Sequence, residues 1–239
     1  PTKPGLKIPQ MFEAAIDKEL KGLWIIGEDI VQTDPNSAHV VEAMNSLELL
    51  VVQEIFMSET AKLATVVLPG TTFLEKDGTF TNTERRIQRV NRAVPPLPGT
   101  KPDGVIVTDM MQKLGFNQPT YDADQMLKEI ADVVPFFKGV TRERLGKLGL
   151  QWPVKEDGTD TQILHTESFK LGKGRLKNFD WKESSEIEAN QKDYPLILTT
   201  SRVLQHYNAA TMTRRTNNIN IVDEDVLLIH PKDAANRDL

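Results

Sequence analysis

The sequence predicts an α/β fold whose first part is a mainly parallel sheet layer. Three short apolar runs, at residues 23–26, 47–52 and 64–68, are typical of buried strands. Stretches with helical spacing lie between them. Because parallel strands are joined by long crossover connections, which helices supply, this alternation predicts parallel pairing over roughly residues 20 to 150.

Each helix of this layer is predicted from its apolar spacing. Residues 10–21, 38–44, 105–114 and 123–133 repeat apolar side chains at helical intervals. Asp34 or Ser37 is the expected N-cap of the second of these helices. The proline-rich residues 1–9 are expected to be extended, and the prolines at 95–102 are expected to break any helix. The apolar residues that follow the helices are assigned to the core: Phe136, Phe137, Leu145, Leu148, Leu150 and Trp152.

A domain boundary is predicted between residues 153 and 160, where the chain becomes polar. We therefore expect one α/β domain at 1–153 and a partial β domain at 160–239. The second is expected to contain a hairpin of strands 163–169 and 175–179, further strands at 195–200 and 226–229, and a helix opening at His230.

Composition excludes several classes of protein. The 239 residues contain no cysteine, which rules out disulfides, iron–sulfur ligation and thiol catalysis by these residues. A net charge of −5 argues against a nucleic-acid partner. No apolar run approaches the ~18 residues of a membrane span, and no secretory signal opens the sequence. We expect a cytoplasmic protein without membrane insertion, although an exported form stays open.

Polar side chains follow two of the predicted strands directly. Gly27, Glu28 and Asp29 come after the first strand, and Gln53 and Glu54 after the second. Ligands of open α/β sheets bind at the carboxyl ends of the strands, so these side chains predict a site at one edge. No Gly-x-Gly-x-x-Gly is present, which disfavours NAD bound in the Rossmann manner. The alternative, a helix-capping role, leaves Glu28 unexplained.

Two further segments concentrate groups that can bind anions. Residues 73–86 include Lys76, Gly78, Arg85 and Arg86, which could approach and hold a charged ligand. An ordinary polar turn whose arginines pair with surface acids is the alternative. Residues 201–208 follow the predicted strand 195–200 and suit a phosphate group, whereas a lone histidine such as His206 is more often structural.

The patterns at 49–56, 64–69 and 75–86, together with 198–207 and 211–215, resemble the molybdopterin oxidoreductase family. Within it they are most similar to the C-terminal part of the catalytic subunit of formate dehydrogenase. The resemblance extends over nearly the whole chain and implies that the second domain is the start of a double-psi β-barrel. Gly104, where many relatives carry an aromatic residue, and Ile30-Val31, where a proline is frequent, depart from the family pattern.

The resemblance implies a bis-molybdopterin guanine dinucleotide cofactor with molybdenum or tungsten. It implies no catalytic or metal-ligating residue in this chain: the metal's ligand and the iron–sulfur cysteines belong to an upstream part, and the chain is expected to be an inactive fragment of a formate-oxidising subunit. Its implied partners are the other parts of that subunit and iron–sulfur electron-transfer subunits. The implied cofactor-binding residues are Gly27, Glu28, Asp29, Gln32, Gln53, Glu54, Lys76, Asp103, Thr200, Arg202, Leu204, His206 and Tyr207.

Alternative functions stay open at this point. The chain could belong to another member of the family, such as a nitrate reductase or the cofactor-free scaffold subunit of NADH dehydrogenase. It could also be an independent small-molecule-binding or interaction protein. Retained polar residues at the strand ends argue against a pure scaffold.

Overall fold

The computed structural model describes residues 4–239. The extended conformation expected for residues 1–9 therefore lies partly outside the described residues, and it is wrong for Ile8 and Pro9, which begin α1. The strands are β1 Gly22–Ile26, β2 Leu49–Glu54, β3 Val66–Pro69, β4 Gly78–Thr81, β5 Arg86–Val90 and β6 Leu150–Gln151. The α-helices are α1 Ile8–Ile16, α2 Ile30–Thr33, α3 Ser37–Ser46, α4 Glu59–Lys62, α5 Asp103–Lys113, α6 Ala123–Val133, α7 Arg142–Leu145, α8 Ser185–Asn190 and α9 Pro231–Ala235. Short 3-10 helices lie at Phe73–Glu75, Pro135–Phe137, Thr213–Arg215 and Asn217–Asn220.

The first half of the α/β region is a parallel sheet in the order β1-β2-β3. Strand β2 is central, and its Leu50 and Val52 are almost fully buried. Helices α1 and α3 pack against each other, and their apolar faces complete this core with Phe12, Ala15, Val40, Ala43 and Met44. The predicted parallel pairing of the three apolar strands is confirmed.

The second half is an antiparallel sheet in the order β4-β5-β6, so the expectation of a mainly parallel layer is correct only for the first half. Strands β4 and β5 form a hairpin in which Gly78 pairs with Val90, because their connection is too short for a parallel crossover. This sheet has its own core, built from Ile87, Leu127, Val140, Leu145 and Val154.

Two of the six predicted core residues are wrong. Leu148 and Phe136 are largely exposed, whereas Leu145 is buried and Phe137, Leu150 and Trp152 pack against the second core. The helix at 123–133 is confirmed residue for residue. The cap of α3 is neither Asp34 nor Ser37 but Asn36, whose side chain accepts a hydrogen bond from the backbone of His39.

The four strands predicted after residue 160 are wrong: between 160 and 239, all of them described, the structure contains no strand. The run 195–200 is exposed along its length, and so are residues 226–228 of the run 226–229, whose last residue is half-buried. A strand needs a neighbour for its backbone hydrogen bonds, and these runs have no described neighbour at pairing distance. A helix does follow His230, as predicted. Among residues 4–239, no helix has the length and apolar character needed to cross a bilayer.

Candidate functional site

The carboxyl edge of the parallel sheet brings together the polar groups that follow β1 and β2. The backbone N–H of Gly27 donates to the carbonyl of Gln53 at 2.9 Å, which fixes the two strand ends side by side. Gly27 has a φ of +63°, and a Cβ placed there would meet no atom within 4 Å. The backbone is therefore open to close approach by a ligand.

A chain of side-chain hydrogen bonds extends this edge through Gln53. The Nε2 of Gln53 donates to Oδ1 of Asp103 at 2.8 Å, and the Nζ of Lys76 donates to Oδ2 of the same carboxylate at 2.5 Å. A backbone bridge between Gly70, after β3, and Lys101 brings the start of α5, and with it Asp103, to the sheet. Gln53, Lys76 and Asp103, which are far apart in sequence, thus form one cluster, hereafter the Asp103 cluster.

The electrostatics of the Asp103 cluster favour a charged carboxylate. Burial raises the pKa of Asp103. The hydrogen bonds from Lys76 and Gln53 and the positive charge of Lys76 together outweigh this effect, so the pKa lies below its usual value. Gln53 is almost fully buried, and its Oε1 accepts no hydrogen bond from any described residue. A buried acceptor without a donor is costly, so this atom fits an N–H group of a bound ligand.

Asp29 lies at the same edge but is buried. Its Oδ1 accepts hydrogen bonds from the backbone N–H and the hydroxyl of Thr60, at 2.9 and 2.7 Å, while Oδ2 has no partner among residues 4–239. Asp29 therefore ties the loop after β1 to helix α4 and keeps one acceptor available.

The remaining predicted residues near this edge are more exposed. Glu28 accepts a hydrogen bond from the hydroxyl of Thr33 at 2.6 Å. Glu54 accepts one from the backbone N–H of Ile55 at 2.7 Å. Gln32 is exposed on α2.

A pocket of about 230 Å³ joins this edge to the C-terminal segment. Gly27, Glu28, Asp29 and Glu54 line it from the sheet side, and Tyr207 lines it from the other. Its other eight lining residues were not in the predicted set: Thr33, Phe56, Ser58, Asn208, Ala209, Thr211, Met212 and Arg215.

The guanidinium of Arg215 in this pocket lies 5.0 Å from the ring centroid of Phe56, a cation–π contact across the pocket wall. Arg215 belongs to the basic pair at 214–215. The basic pair itself was visible in the sequence, but the contact between Arg215 and Phe56 could not be predicted from it.

The other predicted residues of the C-terminal segment do not line this pocket. Both ring nitrogens of His206 are engaged internally, Nδ1 with the hydroxyl of Thr213 at 3.0 Å and Nε2 with the carbonyl of Val222 at 2.7 Å. Arg202 donates to Asn208 at 2.7 Å. Two more predicted residues are exposed: Thr200 and Leu204.

A second cavity, of about 270 Å³, opens beside the Asp103 cluster. Its polar lining residues are Lys76, Asp77, Thr79, Asp103 and Tyr121, and apolar side chains, among them Phe80 and Ile130, supply its walls. Burial, with the negative charges of Asp103 and Asp122, raises the pKa of Tyr121. Tyr121 was missed in the sequence because it stands in a loop, 18 positions after Asp103, with no motif around it.

The paired arginines of residues 73–86 serve structural contacts. Arg85 donates through its guanidinium to the carbonyls of Trp152, Thr161 and Gln162, the last two at 3.0 and 2.9 Å, and it lies over the Trp152 ring. Arg86 pairs with Glu84. The alternative in which these arginines pair with surface acids is therefore correct for Arg86, whereas Arg85 binds backbone carbonyls instead.

The parallel sheet, the polar groups at its carboxyl edge and the two cavities beside them are typical of one class of protein. This class is the α/β ligand-binding proteins, whose polar groups converge at strand ends. The family comparisons are more specific. The model described as Molybdopterin oxidoreductase matches residues 1–113, and the one described as Molydopterin dinucleotide binding domain matches residues 196–239. The chain belongs to the molybdopterin oxidoreductase family.

Curated relatives cover nearly all of the chain. It is 43% identical to the F420-dependent formate dehydrogenase subunit alpha of Methanocaldococcus jannaschii over 96% of its length, and 39% identical to the probable oxidoreductase YjgC of Bacillus subtilis over 99%. These matches span 35% and 24% of the relatives. The chain thus spans about a third or less of the length of the curated relatives it matches.

Among solved structures, acetylene hydratase from Pelobacter acetylenicus has a similar fold, with a TM-score of 0.62 at 20% identity. The match covers 96% of this chain and 34% of that one. At this identity the likeness concerns the fold alone.

Proposed function

We propose that this chain holds the guanine dinucleotide part of a molybdopterin cofactor at the carboxyl edge of its parallel sheet. The observation that carries the proposal is the pocket in which Gly27, Glu28, Asp29 and Glu54 meet Tyr207. The matched family models fall on the two segments that meet there.

The donor and acceptor set of this edge fits such a ligand. Gln53 Oε1 and Asp29 Oδ2 are buried acceptors without a described partner, suited to hydrogen-bond donors of the dinucleotide. Glu28 and Glu54 are carboxylates that can accept hydrogen bonds from ribose hydroxyls, and Gln32 is an exposed amide on α2. Lys76 and Asp103 form the other end of the site.

The C-terminal segment would supply the remaining contacts. Arg202 and His206 suit phosphate oxygens, and Thr200, Leu204 and Tyr207 would flank them. In the structure both ring nitrogens of His206 are hydrogen-bonded, to the hydroxyl of Thr213 and the carbonyl of Val222. Contact with a phosphate would therefore replace at least one of these two hydrogen bonds. The start of a double-psi β-barrel over residues 160–239 would accompany that change.

We further propose that the complete protein is a formate dehydrogenase catalytic subunit carrying two such dinucleotides and molybdenum or tungsten. The metal centre would supply the two-electron oxidation of formate to carbon dioxide, while this chain binds and orients its ligand. The partners would be the rest of the subunit and iron–sulfur electron-transfer proteins in the cytoplasm. Identities of 43% and 39% to relatives named formate dehydrogenase subunit alpha and probable oxidoreductase support this reading.

Titration calorimetry of the purified chain with GDP tests the binding site. We expect binding, and a loss of about tenfold in Asp103→Asn, because one charged acceptor disappears and one charge-assisted hydrogen bond is worth roughly 1.5–3 kcal/mol before exposure reduces it. Asp109→Asn is the control, since Asp109 lies on the same helix and pairs with Lys101. A cofactor-free scaffold would bind no GDP, and that result would overturn the proposal.

A viologen-coupled assay tests the proposed reaction. The isolated chain, which contains no cysteine, should give formate-dependent reduction no higher than a heat-killed control. The complete subunit, expressed from its whole reading frame with molybdate or tungstate, should reduce viologen with formate and not with nitrite replacing formate. If nitrate instead reoxidises the viologen, the nitrate reductase alternative is correct.

A further inference from the structure

The loop residue Tyr121 occupies the space that a side chain at position 104 would need. Gly104 is the second residue of α5. A Cβ built on Gly104 would lie 2.1, 2.4 and 2.7 Å from Cε2, Cζ and Cδ2 of the Tyr121 ring. No side chain fits at such distances, so the absence of a Cβ at 104 is what allows the phenol ring to lie on the helix backbone.

This placement puts the phenol next to Asp103. Tyr121 and Asp103 line the same cavity. Burial raises the pKa of Tyr121 above its usual value, and the negative charge of Asp103 raises it further. At neutral pH the phenol is therefore protonated and is a hydrogen-bond donor. No hydrogen bond among residues 4–239 involves the Tyr121 hydroxyl, so this donor is available at the cavity.

The cavity beside Tyr121 has the features of a binding site for a planar ring. Its volume is about 270 Å³, its polar end holds Asp103 and Lys76, and Phe80 and Ile130 line the apolar walls. An apolar pocket with a few convergent polar groups is the usual form of a small-molecule site. A nitrogen heterocycle can donate N–H groups to the Asp103 carboxylate and place its face against an aromatic ring.

We infer that Tyr121 is a further ligand-binding residue of the Asp103 cluster, whose ring, held over Gly104, is the surface against which a planar nitrogen heterocycle packs. The inference rests on the proposed function, since the heterocycle is taken to be the base of the nucleotide bound there. It adds a binding residue that the strand-end pattern did not indicate.

Calorimetric titration of GDP against variants of the full chain tests this role. Tyr121→Phe keeps the ring and should bind GDP within about threefold of the wild type. Tyr121→Ala should weaken binding about tenfold, as expected for the loss of one base–aromatic contact. Tyr121→Leu keeps an apolar side chain without a planar ring and should bind as weakly as Tyr121→Ala. Tyr194→Ala is the control, because Tyr194 is an exposed tyrosine outside both cavities.

A double-mutant cycle with Gly104→Ala separates packing from ligand contact. The added methyl group should displace the ring, so Gly104→Ala alone should weaken GDP binding although Tyr121 is present. Added to Tyr121→Ala, it should cause no further loss. Urea unfolding of each variant identifies any that fail to fold. If Gly104→Ala or Tyr121→Ala does not fold, the GDP affinity of Tyr121→Leu compared with that of Tyr121→Phe tests the ring contact instead.

The possible outcomes separate the two proposals. If the wild type binds GDP and Tyr121→Ala and Tyr121→Leu bind it equally well, the role of Tyr121 is wrong while the proposed function stands. If the wild type binds no GDP, the proposed function fails and the inference fails with it. Loss in Tyr121→Phe equal to that in Tyr121→Ala would contradict the ring contact and assign the effect to the hydroxyl.

Discussion

Two apolar runs of similar composition have opposite fates in this chain. β2 Leu49–Glu54 lies between two parallel neighbours, and its Leu50 and Val52 are almost fully buried. The run at 195–200 is just as apolar, but Leu198 is 79% exposed and no residue of the run is in a strand. In the described chain from 163 onward, Ala210 is the single buried residue.

The difference shows what sheet formation requires beyond an apolar pattern. Backbone N–H and C=O groups of a strand must be bonded by a neighbour, and burial of alternate side chains supplies the stabilisation. β2 has β1 on one side and β3 on the other, with α3 and α4 providing the crossovers. For 195–200 no such neighbour is described, so the same propensity gives no strand.

The largest expected effect is on the free energy of unfolding and tests whether β2 and the run 195–200 differ in burial. Leu50→Ala should lower the free energy of unfolding by about 3 kcal/mol, because it removes a buried side chain and leaves a cavity. Leu198→Ala, the matched substitution in the exposed run, should change it by less than about 0.5 kcal/mol. Urea denaturation followed by circular dichroism measures both. Equal losses would mean that 195–200 is buried in solution.

A smaller effect concerns the connection between the two regions. Arg85→Ala should cost roughly 2 kcal/mol, since a charged donor to three carbonyls is lost at the point where the chain leaves the antiparallel sheet. Arg202→Ala removes only a contact between exposed side chains and should cost less than about 0.5 kcal/mol. Thermal and urea unfolding decide, and a cost for Arg202→Ala as large as that for Arg85→Ala would contradict the assignment.

Helix capping sharpens the comparison at the level of single turns. The side chain of Asp122 accepts hydrogen bonds from the N–H groups of Asp124 and Gln125 at the start of α6. Asp122→Ala should therefore cost about 1 kcal/mol. Ser184, which precedes α8, makes no such bond, so Ser184→Ala should be close to neutral in the same urea titration. A measurable loss there would show that α8 is capped in solution.

The smallest effect is a pH dependence within the ordered region. The folded pKa of Asp103 is lowered, so its contribution is complete above the unfolded value of about 3.9 and disappears as the pH falls through the lower folded value. Its side chain is 40% exposed, which limits the effect to about 0.5 kcal/mol. Unfolding free energies of the wild type and Asp103→Asn should therefore differ at pH 6 and converge as the pH falls below 4.

Lys76→Met provides the check on the cause of this pH dependence. Lys76→Met removes the partner that lowers the pKa of Asp103 most. In the Lys76→Met background, the effect of Asp103→Asn on the free energy of unfolding should therefore change less between pH 6 and pH 3. An unchanged pH dependence would show that Lys76 does not set the pKa of Asp103.

The sequence by itself determined the features that depend on local periodicity. It located the three parallel strands, the helix at 123–133 and the polar residues that follow β1 and β2. Because parallel strands end at one edge, the proximity of Gly27 to Gln53 followed from the pattern alone. The family resemblance also followed from sequence, since it rests on long matched patterns.

Only the tertiary structure decided which distant groups meet. Lys76 and Asp103 are 27 positions apart, and Arg85 and Trp152 are 67 apart. No local sequence pattern predicts these contacts, and none predicts that the ring of Tyr121 packs against the backbone of Gly104. Whether an apolar run becomes a strand was likewise decided by its neighbours, because backbone pairing is a property of two segments and periodicity is a property of one.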